Sequence, residues 1–184
     1  MNTIHVINNY TDIYTMDSIK AFIDSRPEDY IDYGLRQIQM FGYDESYKDG
    51  SSHPDLSRIA PIEDLIRNKV FKPVRETIAS IYGDGDYDIS NLWISKQFPG
   101  SKLNLHIDSD HGNNPQFMYS AILYLNTIDS GVLEFPDLNF EYKPNAGDLV
   151  IFPSQDPLTG HKIDYIGDIR YSMPMWLSPS KYAL

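Results

Sequence analysis

The spacing of hydrophobic positions changes part of the way along the chain. Between residues 61 and 82 they recur every third or fourth residue, which predicts a helix with one buried face. Pro61 suits the first turn of that helix, and Pro73 predicts a kink within it. A strand over residues 3–7 and a shorter helix over residues 17–25 are predicted before it. The N-terminal part is therefore expected to be largely helical.

After residue 88 the apolar positions alternate with polar ones over short segments, as in half-buried strands. Gly, Pro, Asn and Asp separate these segments. The predicted strands lie near residues 92–98, 103–108, 119–126, 131–135, 147–153 and 169–177. Helices followed by a run of strands favour an α+β domain, mainly β, with a sandwich or barrel of antiparallel strands.

Residues 26–58 show little periodicity and are rich in Tyr, Gly, Asp, Ser and Pro, which is typical of a loop. Loops of that length inside a compact domain often serve binding. We therefore expect residues 41–58 to form a lid over a binding cavity.

Length and composition limit the class of protein. The 184 residues, with no repeat or linker, predict one domain. The net charge of −11 and the absence of a basic run disfavour nucleic acid as a partner. Without Cys, disulfides and thiolate metal sites are excluded. Because neither a signal peptide nor a membrane-spanning apolar run is apparent, we expect a soluble, cytoplasmic protein without a membrane partner.

The first candidate for chemistry is His106-Ile107-Asp108, on a predicted strand. Residues i and i+2 of a strand share a face, so His106 and Asp108 could bind one ion. Alone, the pair could equally be the polar face of a strand. His161 follows 55 residues after His106 and completes a set of two imidazoles and one carboxylate. That set suits non-haem Fe(II), because it leaves three positions of the ion open.

Two nearby residues compete for the metal role. His111 lies in a Gly-Asn-Asn-Pro loop and is expected to face solvent, and Asp110 is expected to form a turn.

Arg170 lies on a predicted inner strand, nine residues after His161. A buried charge without a partner is costly, so this guanidinium calls for a carboxylate, which its planar fork can bind through two hydrogen bonds.

These residues, taken in order, resemble the Fe(II)/2-oxoglutarate-dependent dioxygenases, and within them the prolyl-4-hydroxylase-like branch. The segments that carry the resemblance are His106-x-Asp108, Tyr124-Leu125-Asn126, Gly131-x-Leu133-x-Phe135-Pro136, Pro144-x-x-Gly147-Asp148-x-x-x-Phe152, His161 and Arg170. The resemblance spans roughly residues 90–177. It implies a double-stranded β-helix (a jelly-roll or cupin-like core) over about residues 89–178, supported by helices within about residues 1–88, in one domain of residues 1–184.

The resemblance also implies roles for individual residues. His106, Asp108 and His161 would bind Fe(II), and Arg170 would pair with the distal carboxylate of the cosubstrate 2-oxoglutarate. Tyr124 would share that carboxylate, and Ser172 would add a hydrogen bond. The expected reaction uses O2, with ascorbate as a supporting reductant. It hydroxylates a peptidyl proline, an amino acid or another small metabolite and releases succinate and CO2.

Three other functions stay open at this point. Phe98-Pro99-Gly100 through Asp108, together with Phe41-Gly42-Tyr43, is similar to the nucleic-acid alkylation-repair dioxygenases. Those enzymes carry a second Arg six residues after the first, where this chain has Trp176. The other two are a non-catalytic jelly-roll binding module and a metal-dependent hydrolase or isomerase. Trp93 and Trp176 are expected to belong to the core.

Overall fold

The computed structural model describes residues 3–27, 30–32, 37–42, 56–83, 85–109 and 117–179. Helix α1 spans Ile13–Asp24 and begins four residues before the prediction. Asp12 caps it, because its carboxylate accepts the backbone N–H of Thr15 at 2.9 Å. Ile19, Phe22 and Ile23 are buried on one face of the helix, as the periodicity predicts.

The second helical segment is continuous but irregular. A 3₁₀ turn over Leu56–Ile62 leads into α2 (Glu63–Ile66), a π turn (Arg67–Phe71) and α3 (Lys72–Tyr82). The π turn ends two residues before Pro73, the residue predicted to kink the helix. A proline has no N–H to donate to the previous turn and its ring crowds that turn, so the wider π turn accommodates it. In the described ranges, no helix combines the length and the apolar character needed to cross a membrane.

Eleven strands in the described residues form two antiparallel sheets. The seven-stranded sheet has the order β1-β9-β6-β11-β4-β3-β2, and the four-stranded sheet has the order β5-β10-β7-β8. Their bounds are β1 His5–Ile7, β2 Tyr30–Asp32, β3 Gln37–Gly42, β4 Tyr87–Gln97, β5 Leu103–His106, β6 Tyr119–Tyr124, β7 Leu133–Phe135, β8 Phe140–Tyr142, β9 Leu149–Pro153, β10 His161–Ile163 and β11 Arg170–Pro179. The prediction of a mainly β, α+β chain with antiparallel strands is confirmed.

The larger sheet has buried apolar side chains on both of its faces. One face packs with the helices in a cluster that includes Ile19, Val74, Leu92 and Met173. The other contributes to a second cluster, in which Ile122 and Val150 meet Phe135 and Ile163 of the smaller sheet. The two apolar layers hold strands β6 and β9 from both sides, which makes them a rigid support for the neighbouring strands.

The sequence analysis did not predict four of these strands. β2 and β3 lie in the stretch interpreted as loop, and β8 and β10 are only three residues long. Three positions show an alternation only weakly. β1 and β7 are equally short but lie within the longer predicted segments 3–7 and 131–135. Residues 43–55, most of the predicted lid, lie outside the described residues, as do Asp110 and His111.

Candidate active site

The three predicted metal ligands come together between two neighbouring strands. His106 ends β5 and pairs in register with His161, which begins β10. Asp108 follows β5, and its Oδ1 lies 3.3 Å from Nε2 of His106 and 3.8 Å from Nε2 of His161. One ligand atom from each residue lies within 4.8 Å of the others. The spacing His106-x-Asp108 and the cross-strand register therefore produce one compact cluster.

The backbone orients both imidazoles. Nδ1 of His106 lies 2.9 Å from the carbonyl oxygen of Asn104, and Nδ1 of His161 lies 3.1 Å from that of Thr159. A carbonyl oxygen can only accept, so in each contact Nδ1 is the nitrogen that carries the hydrogen. When the ring is neutral, Nε2 therefore has the lone pair, and it faces Asp108, which is the arrangement a metal ligand needs.

Asp108 is buried and ionised. Burial by itself would raise the pKa of this carboxyl, but the charge of His161, the hydrogen bond and charge of His106 and a hydrogen bond from Ser120 lower its pKa to about 2. Ser120 donates its hydroxyl to Oδ2 of Asp108 at 2.6 Å. The group that faces the two histidines at neutral pH is therefore a carboxylate.

The cluster opens into a cavity of about 460 Å³ between the two sheets. Alternate residues of β4 and β11 form one wall, since they share the inner face of the larger sheet. The lining residues are Asn91, Trp93, Ser95, Gln97, Leu103, His106, Ile107, Asp108, Phe117, Ser120, Ile122, Leu133, His161, Ile163, Arg170, Ser172, Pro174, Met175 and Trp176. The cavity thus joins the His-Asp-His cluster to Arg170.

Arg170 carries its charge in the protein interior, with only 4% of its surface exposed. Its Nη1 donates to the side-chain oxygen of Gln97 and to the hydroxyl of Ser172, the latter at 3.2 Å. Within the described part of the chain, Arg170 has no acidic partner and its Nε has no hydrogen bond. A buried guanidinium held by neutral groups retains the capacity to bind a carboxylate.

Tyr124 and Ser172, the other predicted cosubstrate residues, both contact Arg170. The Tyr124 ring lies 5.1 Å from the guanidinium carbon. Its hydroxyl is buried and makes no hydrogen bond of regular geometry to a described residue. Burial raises the pKa of Tyr124, against the opposing effect of the charge and proximity of Arg170. Tyr124 does not line the cavity, whereas Ser172 does. Tyr124 is thus placed to support Arg170, with a hydroxyl that is free to bond.

Aromatic side chains occupy another part of the cavity wall. Trp93 and Trp176 meet edge to face at 5.1 Å, and Phe117 stacks on Trp176 at 5.8 Å. Trp176 is buried, as expected of a core residue, yet both tryptophans also border the cavity. This part of the wall can contact an apolar group of a bound molecule.

The sequence prediction missed three residues that hold the site. Gln97 bonds Arg170, from the directly opposed position on β4. Ser120 bonds Asp108. Asn126 accepts the backbone N–H of Tyr171 at 2.7 Å and donates to the carbonyl of Ile169 at 2.8 Å, so it fixes the backbone on both sides of Arg170. Of the three, only Asn126 belongs to a sequence motif noted above, the Tyr124-Leu125-Asn126 segment.

The donor set fits a divalent iron ion. Two imidazole nitrogens and one carboxylate oxygen converge from one side, and a cavity lies next to them. Such a facial triad suits Fe(II) with open positions. The nearby Arg170, which lacks a carboxylate partner in the described residues, fits a dicarboxylate cosubstrate.

Comparison with known proteins agrees with this donor chemistry. The family profile described as the 2OG-Fe(II) oxygenase superfamily matches residues 92–178. That range contains the three candidate ligands and Arg170. No curated protein sequence matches the chain.

Solved structures share the fold at low sequence identity. The viral collagen prolyl hydroxylase of Paramecium Bursaria Chlorella virus-1, in its 2OG complex, is 17% identical with a TM-score of 0.67, over 100% of this chain and 97% of that one. A Pseudomonas putida prolyl-4-hydroxylase is 20% identical with a TM-score of 0.69, over 96% and 92% of the two chains. A Trichoplax adhaerens prolyl hydroxylase, in complex with a hypoxia inducible factor peptide fragment, is 16% identical with a TM-score of 0.68, over 99% and 86%.

The predicted resemblance to this superfamily is thus confirmed over residues 92–178, and these three solved structures of similar fold are prolyl hydroxylases. Residues 92–178 match the profile of the 2OG-Fe(II) oxygenase superfamily, and the His-Asp-His cluster within them fits Fe(II) as the metal of a 2-oxoglutarate-dependent dioxygenase.

Proposed function

We propose that the protein hydroxylates a peptidyl proline, or an amino acid or small metabolite of similar character, while 2-oxoglutarate is converted to succinate and CO2. The observation that carries this proposal is the single cavity that joins the His-Asp-His cluster to a buried Arg170. A metal-dependent hydrolase or isomerase would leave Arg170 without its proposed partner, the carboxylate of 2-oxoglutarate.

In this proposal His106, Asp108 and His161 hold Fe(II) and act as the catalytic centre. Arg170 binds the distal carboxylate of 2-oxoglutarate, and Ser172 and the hydroxyl of Tyr124 add hydrogen bonds to that carboxylate or to Arg170. Support comes from the contacts of Ser172 and Tyr124 with Arg170 and from the unbonded hydroxyl of Tyr124.

The chemical step needs an oxidant, which Fe(II), 2-oxoglutarate and O2 supply together when bound. The chain's own part is to position and to protect. The Nδ1 contacts with the backbone keep Nε2 of both histidines ready to bind the ion. The apolar wall around Ile122, Leu133 and Ile163 limits water near the reacting groups, which reduces side reactions.

We further propose that the two sheets form the double-stranded β-helix of this superfamily. The core would cover about residues 89–178 and the supporting helices about residues 1–88, in one domain of residues 1–184. The facing sheets, the cavity between them and the helices packed on the outer face of the larger sheet support this interpretation.

The substrate proposal rests on the aromatic part of the wall. Trp93, Phe117 and Trp176 offer flat apolar faces on which a pyrrolidine ring or an aliphatic side chain can pack. One solved structure of similar fold holds a peptide fragment. Both points favour a neutral group, presented by a peptide, over a polyanion, as does the net charge of −11.

The decisive experiment measures succinate formed from 2-oxoglutarate with Fe(II), ascorbate and O2. Proline-containing peptides, free amino acids and methylated oligonucleotides are compared as substrates. We expect proline peptides to give the largest increase over the substrate-free rate, with a mass gain of one oxygen atom. Release of formaldehyde from the oligonucleotide would instead establish a demethylase. Absence of succinate with every substrate would leave a non-catalytic binding module.

A further inference from the structure

The two oxygens of the Asp108 carboxylate face different partners. Oδ1 points toward Nε2 of His106 and of His161, at 3.3 and 3.8 Å. Oδ2 instead accepts the hydroxyl of Ser120 at 2.6 Å. The carboxylate therefore presents one oxygen to the histidines while a hydrogen bond engages the other.

A second serine lies behind the first. The hydroxyl oxygens of Ser120 and Ser154 are 2.8 Å apart. A hydroxyl has one hydrogen and a carboxylate can only accept, so the hydrogen of Ser120 goes to Asp108. Ser154 must then be the donor to Ser120. The result is a directed chain, Ser154 to Ser120 to Asp108, in which each hydrogen bond strengthens the next.

This chain of hydrogen bonds connects the two sheets. Ser120 lies on β6 and Ser154 follows β9, both in the larger sheet, whereas Asp108 follows β5 of the smaller sheet. The backbone N–H of Ser109 also donates to the carbonyl of Ser154, at 3.1 Å. Ser120 and Ser154 are 2% and 0% exposed. Water therefore has little access to replace these bonds.

The arrangement controls how many positions of an ion Asp108 can occupy. A carboxylate that binds through both oxygens takes two positions, and one that binds through a single oxygen takes one. A facial triad keeps three positions open only if its carboxylate contributes one oxygen. A hydrogen bond that holds Oδ2 favours binding through Oδ1 alone.

We propose that Ser120, supported by Ser154, is a positioning residue that directs Oδ1 of Asp108 to the metal and keeps Oδ2 out of its coordination. This inference rests on the proposed role of Asp108 as a ligand. It concerns metal affinity before any cosubstrate binds, so it can be tested separately from turnover.

The test compares three single substitutions, Ser120→Ala, Ser154→Ala and Ser178→Ala. Ser178 is the matched control, because its hydroxyl is fully buried and lies 2.7 Å from that of Ser90, away from the cavity. It loses the same kind of bond from the same sheet. Affinity for Mn(II), a redox-stable substitute for Fe(II), is measured from the electron paramagnetic resonance signal of the free ion.

We expect the Mn(II) dissociation constant to rise about tenfold in Ser120→Ala, the lower end of the effect typical of residues that orient a ligand. Ser154→Ala should give a smaller rise, because Ser120 can still donate to Asp108. Ser178→Ala should match the wild type. Ser120→Thr, which keeps the hydroxyl, should restore most of the affinity. Thermal unfolding verifies that each variant is folded. If Ser120→Ala does not fold, the Mn(II) affinity of Ser154→Ala tests the positioning role instead.

Equal Mn(II) affinity in Ser120→Ala and Ser178→Ala would overturn the positioning role, and the proposed enzyme function would stand. Failure of the wild type to bind Mn(II) would overturn both. The two failures are therefore distinguishable in the same titration.

Discussion

Arg170 is the residue at which the demands of stability and of ligand binding conflict most clearly. Its guanidinium is always charged, and it is buried against neutral partners. An interior charge held in this way lowers stability until a counter-ion arrives. The buried charge therefore lowers the free energy of unfolding of the ligand-free protein, and a bound carboxylate would raise it again.

Arg170→Met removes the charge and keeps a long side chain. The free energy of unfolding without ligand should stay within about 1 kcal/mol of the wild type. The gain from removing the buried charge offsets the loss of the hydrogen bond to Gln97. With Mn(II) present, 2-oxoglutarate at a hundred times its dissociation constant should stabilise the wild type by about 2.7 kcal/mol and the variant far less. Thermal unfolding with and without 2-oxoglutarate measures both.

Arg75→Met is the matched control for that variant. Arg75 is half exposed in a surface ion pair with Asp88 and lies away from the cavity. Its substitution should leave the shift caused by 2-oxoglutarate unchanged. An undiminished shift in Arg170→Met would contradict the proposed role of Arg170.

Asn126 acts on the same guanidinium through the backbone. Its side chain bonds both Ile169 and Tyr171, so Asn126→Ala should loosen the strand end that carries Arg170. We expect the KM for 2-oxoglutarate to rise about tenfold, equivalent to about 1.4 kcal/mol, with kcat at saturation changed little. Steady-state succinate formation against 2-oxoglutarate concentration gives both constants.

Thr127→Ala tests whether the rise in KM for 2-oxoglutarate comes from the loss of Asn126 itself or from any change in the same turn. Thr127 is the neighbouring exposed residue, and its hydroxyl bonds Asn145 and Ala146. Its variant should keep the wild-type KM. A fall in kcat at unchanged KM in Asn126→Ala would exclude a role in placing Arg170.

Sequence spacing predicted the metal cluster but not the residues that support it. His106 and Asp108 share a strand face by period, whereas the choice of His161 as the third ligand depended on the residue set and on the family resemblance. Gln97 and Ser120 lie at the site because strands distant in sequence come together in the fold. Gln97 is brought to Arg170 by the pairing of β4 with β11, and Ser120 is brought to Asp108 by the position of β6. No local spacing encodes such a register.

At the scale of elements, the attachment of edge strand β1 depends on Asp148. Its carboxylate is 3% exposed and accepts the backbone N–H of Asn9 at 2.9 Å and the hydroxyl of Tyr142 at 3.0 Å. These bonds tie the turn after β1 and the end of β8 to the start of β9. The Gly147-Asp148 segment of the family resemblance is thus explained here by structure.

Asp148→Ala should lower the free energy of unfolding by about 2–4 kcal/mol, because it breaks two hydrogen bonds to a charged group and leaves the buried hydroxyl of Tyr142 without its acceptor. Chemical denaturation measures the loss. Asp129→Ala is the control: Asp129 is 92% exposed in an ion pair with Lys143, and its loss should cost less than about 1 kcal/mol. Equal losses in the two variants would contradict the structural role of Asp148.

The elements that the sequence predicted well are the long ones. β4, β6, β9 and β11 are five to eleven residues long, enough to show an alternation or, in β9, a continuous apolar run, and α3 repeats over three turns. The short strands β8 and β10 owe their conformation to pairing with β7, not to their own composition. Propensity over three residues is too weak to predict them.

At the scale of the whole molecule, the candidate site is divided between the two sheets. The histidines belong to β5 and β10 of the smaller sheet, whereas Arg170 belongs to β11 of the larger one. A molecule that binds the ion at one end and Arg170 at the other therefore connects both sheets. Metal and 2-oxoglutarate should bind cooperatively, and each should raise the affinity for the other by the same factor.

This coupling can be measured by unfolding under four conditions: no ligand, Mn(II), 2-oxoglutarate, and both. We expect Mn(II) alone to stabilise by about 2.7 kcal/mol at a hundred times its dissociation constant. 2-Oxoglutarate alone should have little effect, and the two together should exceed the sum of their separate effects. Glutarate is the matched control, because it has the same two carboxylates without the keto oxygen that chelates an ion. It can pair with Arg170 but should show weaker coupling to Mn(II). Additive effects of Mn(II) and 2-oxoglutarate would mean that the two bind independently, and the cavity would then not join the metal cluster to Arg170 through one cosubstrate.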